Sequence, residues 1–286
     1  MKKIAIITGS SSGMGAEFAV QLAEESALYR KKGNSVFPSD EIWLVARRKD
    51  KLEEVKNNIL EVAQKSSRPD FYPSIKTVPL DISGSDGALK LKAALEEENE
   101  SEKKNGGIEV NVLVNNAGFG TYGEFASTDT MREMQMIDLN CTSLTGITGF
   151  ALPYMKEGSR IINTGSLASF LPLGNFAVYG ASKAFVLSFS CALRAELKDR
   201  GISVTVLCPG PVSTEFANVA SNGARKEVRH GLSPEKTVAH CIKASRKGKF
   251  YSMFAFKWKF KAAASRFVGR RAGAWFTFKF CKRPSN

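Results

Sequence analysis

The strongest constraint on what this chain can fold into is an alternation of short, apolar, β-rich runs with longer stretches of helical pattern. Lys3–Thr8 reads as a buried strand, and Gly13 to about Arg30 as a helix with Phe18, Leu22 and Leu28 among its apolar positions. Strands follow at Glu41–Ala46, Ser74–Val78, Val110–Val114, Ser159–Asn163 and Ser203–Leu207. Between them, helical patterns run from Asp50 to about Gln64, Ser85 to Glu100, Thr130 to Tyr154 and Tyr179 to Asp199. Strand and helix in this order imply an α/β fold with a central parallel sheet covered by helices on both faces. Right-handed crossovers make it a doubly wound Rossmann fold, with ligands above the carboxyl ends of the strands. With 286 residues, one large domain suffices to bury the core.

The first strand runs into Thr8-Gly9-Ser10-Ser11-Ser12-Gly13-Met14-Gly15, which opens a helix. Glycines let the backbone turn tightly and approach a pyrophosphate, and a helix N-terminus offers free N–H groups and a positive dipole end. Such a loop is elsewhere an ordinary turn, and the spacing is not the G-x-G-x-x-G fingerprint; its place between strand and helix points to a dinucleotide. Arg47 and Arg48 follow the second strand, where a Rossmann site meets the adenosine ribose. An acid there would accept from the 2′-hydroxyl, whereas a guanidinium favours a 2′-phosphate, so the cofactor expected is NADP(H). Asp81, after the third strand, is placed to meet the adenine, and Asn115-Asn116-Ala117-Gly118 follows the fourth.

Tyr179 and Lys183 stand four residues apart, so on a helix a phenol and an ammonium share one face. A nearby ammonium favours the phenolate, which would let Tyr179 act as acid or base nearer neutral pH. Ser166, at the end of the fifth strand, would lie on the same sheet edge as the glycine loop and could donate a hydrogen bond to a carbonyl oxygen. The TGxxxGxG at 8–15, the NNAG at 115–118, Ser166, the YxxxK at 179–183 and Pro209-Gly210 stand in order and at family spacing. With them the chain resembles a classical short-chain dehydrogenase/reductase over about residues 3–250. The resemblance implies roles position by position. Tyr179 would be the general acid/base, Ser166 would orient the substrate carbonyl, and Lys183 would hold the nicotinamide ribose and lower the tyrosine pKa. Asn140 would support a proton-relay water. Gly9, Ser11, Ser12, Gly13, Met14, Gly15, Asn116, Ala117 and Gly118 would line the cofactor, and Pro209, Gly210 and Thr214 would contact the nicotinamide carboxamide. No metal is implied. Dimers or tetramers paired through long helices are the family expectation. The chemistry is interconversion of a carbonyl and an alcohol by hydride transfer; a catalytically idle dinucleotide binder on the same fold is the alternative, against which the intact serine, tyrosine and lysine weigh.

The loop between Ser166 and Tyr179 carries Leu167, Phe170, Leu171, Leu173 and Phe176; the resemblance implies that this loop would line the substrate pocket, with about half of these residues expected to pack the core. That lining suggests a lipophilic substrate: an acyl chain, a steroid-like ring or an aromatic ketone. Residues 212–235 would form a lid, with mobility around 221–223.

The net charge of +13 is not spread over the chain. Residues 1–242 hold 28 Lys/Arg and 28 Asp/Glu, while 243–286 hold 13 Lys/Arg and no acid. The division expected is a catalytic domain over 1–255 and a basic, aromatic-rich extension over 256–286. Phe254–Lys261 and Phe276–Phe280 alternate aromatic with basic residues, as in a strand that finishes the sheet or pairs across an oligomer. Ala262–Val268 suits a helix. Aromatics among cations also suit the surface of an anionic membrane, which is slightly favoured as a peripheral partner. Nucleic acid ranks third, since no recognised module is present. Five scattered cysteines without a CxxC pair, and only His230 and His240, argue against a disulfide framework or zinc site and for reduced thiols in a cytoplasm.

Overall fold

Ile4 through Ile7 are wholly sealed from solvent in β1 (Lys2–Thr8), as a strand packed on both faces requires. The coordinates are a computed structural model that describes residues 1–34, 36–225, 231–281, 283 and 285. Six further parallel strands join β1: β2 (Glu41–Ala46), β3 (Ser74–Pro79), β4 (Ile108–Asn115), β5 (Arg160–Thr164), β6 (Ser203–Leu207) and β7 (Tyr251–Ser252). Their order is β3-β2-β1-β4-β5-β6-β7. The chain winds outward from β1 to β3, then returns to β4 beside β1 and winds the other way. The crevice outside the carboxyl ends of β1 and β4 is therefore the topological switch point of a doubly wound Rossmann sheet.

Alternate residues of each strand face opposite helical layers. Ala5, Ile7 and Leu44 pack with Phe18 and Leu22 of α1 (Gly13–Lys31), Leu52 and Ile59 of α2 (Lys49–Lys65) and Val238 of α8 (Pro234–Arg246). Ile4, Ile6 and Val45 pack on the other face with Leu91 and Leu95 of α3 (Gly84–Ser101), Ile147 of α5 (Leu144–Ala151) and Leu193 of α6 (Ala177–Glu196). A buried ion pair crosses the first layer: Glu25 of α1 bonds Arg160 of β5 and Arg246 of α8.

Three expectations about elements are corrected. The stretch 130–154 is not one regular helix: α4 (Thr130–Ile137) passes through a π-helical segment, Asp138–Ser143, into α5. The widened turn carries Asn140, whose side chain is tied to neighbouring segments, and such bulges gather at functional sites. The tail does not add an aromatic-faced strand. The last strand, β7, lies before it, and Ala255 at φ +73° turns the chain into α9 (Phe256–Ala264), with α10 (Arg270–Phe280) after it. The helix over 262–268 is likewise corrected, since α9 stops at Ala264. Aromatic–basic alternation mimics a strand, but in α9 Trp258 and Ala262 turn inward while Phe256 and Phe260 stay exposed, a spacing of four. In the lid region, α7 (Phe216–Ala220) follows Pro211, and Val212 bridges Leu232; residues 226–230 lie outside the described residues.

Candidate active site

The glycine loop is built so that no side chain intrudes. A Cβ on Gly15 would lie 2.0 Å from the Gly9 carbonyl oxygen, and one on Gly9, at φ +67°, would lie 2.8 Å from the Ala117 Cα. Gly13, at φ +54°, backs onto Thr214, to whose side chain a Cβ would come within 3.2 Å. Met14 packs on the core below. The N-cap residue of α1, Ser12, makes no side-chain cap bond, and the buried Ser10 hydroxyl has no hydrogen-bond partner among the described residues. Open N–H groups at a helix start, a cradle that only glycine permits and an unpaired buried hydroxyl fit the pyrophosphate of a dinucleotide.

The segment after β4 holds this loop in place. The Asn116 amide donates to the carbonyls of Thr8 and Gly9, at 3.2 and 3.3 Å. The backbone N–H groups of Asn116 and Ala117 both donate to the Thr8 hydroxyl. Asn115 turns away into a buried network, donating to Thr148 of α5 and Asn163 of β5 at 2.9 Å each. On the opposite flank the exposed Arg48 guanidinium reaches the Ser12 hydroxyl at 2.8 Å and the Glu215 carboxylate at 3.1 Å, and also contacts Ser11. Arg47 beside it is exposed, and Asp81 lies past the end of β3, where its carboxylate accepts from the Ser83 N–H.

Tyr179, Lys183 and Ser166 come together beyond β5. Tyr179 and Lys183 occupy the first two turns of α6, and both are buried. The Ser166 side chain lies close enough to the Tyr179 phenol to favour its charged form. Its Oγ also accepts from the Ala168 N–H at 3.1 Å, which fixes its direction. The Lys183 ammonium donates to the Thr164 carbonyl at 2.8 Å and sits 5.7 Å from the Tyr179 ring centroid. Asn140 receives the Phe119 N–H on its oxygen and donates its amide to the Phe119 carbonyl and the Ser182 hydroxyl. The space that a side chain on Gly118 would fill is bounded by Asn140 Oδ1 at 2.7 Å and Lys183 Nζ at 3.5 Å, so glycine keeps that gap open.

Burial controls the titration of this group. It raises the Tyr179 phenol above its ordinary range, which the nearby Ser166 side chain only partly offsets. It also pushes Lys183 down to about 8, against the raising influence of Cys141 and Cys208. The Lys183 ammonium is bonded to a backbone carbonyl, and for the phenol burial outweighs the lowering influences.

Aromatic rings surround the phenol. Phe176 stacks on Tyr179 with centroids 4.1 Å apart and planes 16° from parallel, Phe216 lies tilted at 5.4 Å, and Phe119, Tyr122 and Leu173 complete the cluster. Sequence reading placed Phe176 and Leu173 here but missed Phe119, Tyr122 and Phe216. Their nearness to Gly118 and Thr214 in the chain was the available signal.

The C-terminal helices also reach the site, which short-range reading could not find. The Trp258 indole of α9 lies on Gly210, where a Cβ would stand 2.3 Å from its ring, and the Pro209 carbonyl beside it accepts from the Leu167 N–H. From α10, Thr277 Oγ1 accepts the Gly174 N–H at 2.9 Å, and the Phe278 carbonyl accepts from Asn175 Nδ2 at 3.0 Å. Arg283 donates to the Gly174 carbonyl and lies 5.3 Å over the Phe176 ring. Leu171 packs against Gly273. The loop from Ser166 to Tyr179 is thus covered by the tail, and only part of its apolar set is left for a ligand.

The sequence pattern of the family described as short chain dehydrogenase matches residues 3–224. The chain is 32% identical over 247 residues to the very-long-chain 3-oxoacyl-CoA reductase of Rattus norvegicus, covering 84% of this chain and 67% of that protein. It is 34% identical over 227 residues to the sulfoacetaldehyde reductase of Chromohalobacter salexigens, covering 78% of each. A short-chain dehydrogenase from Sphingobium yanoikuyae, solved with NADPH, superposes with TM-score 0.71 at 23% identity over 94% of this chain and 95% of that one. One from Burkholderia phymatum, solved with NAD, gives TM-score 0.71 at 20% identity over 100% and 97%. At those identities the structural likeness speaks for the fold.

Proposed function

The chain belongs to the short chain dehydrogenase family, and from that premise we propose that it is an NADP(H)-dependent oxidoreductase that interconverts a carbonyl and an alcohol on a lipophilic substrate, with Tyr179 as general acid/base. The observation that carries this reading is the convergence of a phenol, a hydroxyl and an ammonium beside the glycine loop, at the carboxyl edge of the sheet.

The cofactor would lie along Gly9–Gly15, with Ala117 and Gly118 beside it, Arg48 toward the adenosine end, and Pro209, Gly210 and Thr214 toward the nicotinamide. When bound, it supplies or accepts the hydride. The chain's own residues do the rest. The Ser166 hydroxyl donates to the substrate oxygen and holds the carbonyl in line. Tyr179 gives its proton to that oxygen as negative charge develops there, and takes it back in the reverse direction. A phenol raised by burial keeps its proton through neutral pH, which suits reduction. The Lys183 ammonium places positive charge beside the phenol and the ribose position, and Asn140 holds Phe119 and the π-helical turn against α6. Phe119, Tyr122, Phe176 and Phe216 exclude water and favour an apolar group next to the carbonyl. The rat relative's very-long-chain substrate supports a lipophilic choice, while the bacterial sulfoacetaldehyde reductase shows that similar chains also take small polar aldehydes.

The test is NADPH oxidation by the purified chain across long-chain 3-oxoacyl thioesters, bulky ketones and short polar aldehydes. Turnover confined to the apolar members is the expected result, and turnover of the polar ones alone contradicts it. For the cofactor, Arg48 is the residue to change. Its bonds to Ser11, Ser12 and Glu215 place it at the flank of the loop, where a 2′-phosphate would compete with the Glu215 carboxylate. Arg48→Ala is expected to cut the preference for NADPH over NADH by about ten- to a hundredfold, the worth of one charge-assisted contact. An unchanged preference removes Arg48 from cofactor choice. Cellular placement in this reading is cytoplasmic, with peripheral contact to a membrane surface through residues 256–286 and assembly as a homo-oligomer.

A further inference from the structure

We propose that the lysine-lined cleft between α8, β7 and α9 is a phosphate-headgroup site through which the chain docks on an anionic phospholipid surface. The proposal rests on the peripheral-membrane reading and assigns it a site.

The cleft measures about 410 Å³ and gathers Lys243 and Lys247 from α8, Lys249 from the turn before β7, and Lys259 from α9, with His240 and Tyr251 between them. Four ammonium groups on one concave surface repel one another unless an anion joins them. Several lysines elsewhere are paired instead: Lys2, Lys51, Lys65, Lys76, Lys92 and Lys103 each stand within salt-bridge distance of a glutamate. Among the described residues, none of the four cleft lysines has a carboxylate partner, and the chain carries no Asp or Glu after residue 242. The His240 ring registers the crowding. Burial lowers its pKa first, and Lys259, Lys249 and Lys243 lower it further, while its Nδ1 bonds the Ser252 hydroxyl at 2.9 Å.

A free phosphate would satisfy the lysines, but the surface beside them fits a lipid. On α9, Phe256 is 80% exposed and Phe260 64%, one turn apart and bracketing Lys259. Phe267 in the following turn is 92% exposed. On α10, Trp275, Phe276 and Phe280 are each more than half exposed, among Arg270, Arg271 and Lys279. Outward aromatics interleaved with cations suit a bilayer interface, where rings enter the headgroup–acyl boundary and ammoniums meet phosphates. No helix among the described residues is long and apolar enough to cross a membrane.

The experiment is flotation of the full chain with vesicles of phosphatidylcholine, with and without phosphatidylserine. NADPH oxidation serves as the control that variants are folded. Wild type is expected to float with the anionic vesicles only. Lys243→Ala with Lys247→Ala should lower that partition by about 25-fold, since one lysine near an anionic surface contributes about fivefold. Phe256→Ser with Phe260→Ser should lower it as well, with NADPH oxidation unchanged in both variants. If wild type floats and the lysine variant floats equally, the cleft assignment fails while the membrane reading stands. If wild type ignores anionic vesicles, both fail. In that case, perturbation of the His240 ring resonance by inorganic phosphate alone would make the cleft a free-anion site. Self-association abolished by the phenylalanine variant would make the face a contact between copies, and retention on DNA a nucleic-acid surface; each overturns the lipid occupant.

Discussion

Tyr179 sits in a paradox of environment: its neighbours are the hydroxyl and ammonium that the proposed chemistry needs, yet its ring is sealed between Phe176 and Phe216. Burial disfavours charge on any group, so it pushes the phenol up and the Lys183 ammonium down, to about 8. The sign follows directly. A lysine whose pKa is depressed keeps its charge below that value and loses it above. If the ammonium is needed, kcat/KM for carbonyl reduction is level below about pH 8 and falls on the alkaline side. Phenol deprotonation would follow at still higher pH, because burial raises that group. A pH–rate profile checks this; a reduction rate rising steadily through pH 8 and beyond contradicts it. Ser166, Tyr179 and Lys183 were legible in the sequence because their types and spacing bear chemical meaning. What spacing could not convey was the balance of solvation against charge, since that depends on Phe119, Tyr122 and Phe216 arriving from other segments. The Lys183–Thr164 bond is of the same kind: a backbone carbonyl has no sequence signature.

Elements show the same division between local and distant information. Strand and helix periods placed β1 to β6 and their intervening helices within a few residues, because each is decided by its own apolar pattern. In the tail, the alternation of aromatic and basic residues suits either a strand or a membrane-facing surface. That pattern does not show that Trp258 meets Gly210 and Thr277 meets Gly174, contacts that span dozens of residues or more. These contacts make α10 a brace on the loop that carries Phe176. Thr277→Val keeps the shape but leaves the Gly174 N–H without its acceptor, a loss of about 1–3 kcal/mol. We expect kcat/KM to fall with only a small drop in melting temperature, measured by steady-state kinetics beside thermal unfolding; unchanged kinetics would detach the brace from catalysis. A second test concerns the α1 layer. Glu25 is the shared carboxylate of Arg160, only 3% exposed, and Arg246. Glu25→Ala strands a buried guanidinium and should cost about 3–5 kcal/mol in denaturant unfolding, where a surface pair would cost under about 1.

At the scale of the whole molecule, two regions of opposite design meet at one edge of the sheet. The doubly wound core is charge-balanced and brings the glycine loop, Ser166 and the start of α6 to the switch between β1 and β4. The last 44 residues carry the net charge and most of the exposed aromatic surface, and they lie on the loop that lines the reacting groups. In the proposed reading, membrane contact and chemistry therefore lie at the same edge of the molecule. All of this depends on Tyr179 exchanging a proton with the substrate oxygen. The direct measurement is kcat/KM for NADPH-dependent reduction by Tyr179→Phe beside wild type, with NADPH affinity measured on both proteins. Loss of about a hundred- to ten-thousand-fold in kcat/KM at unchanged NADPH affinity is the predicted result. Turnover equal to wild type in a variant that lacks only the phenolic oxygen would contradict the account.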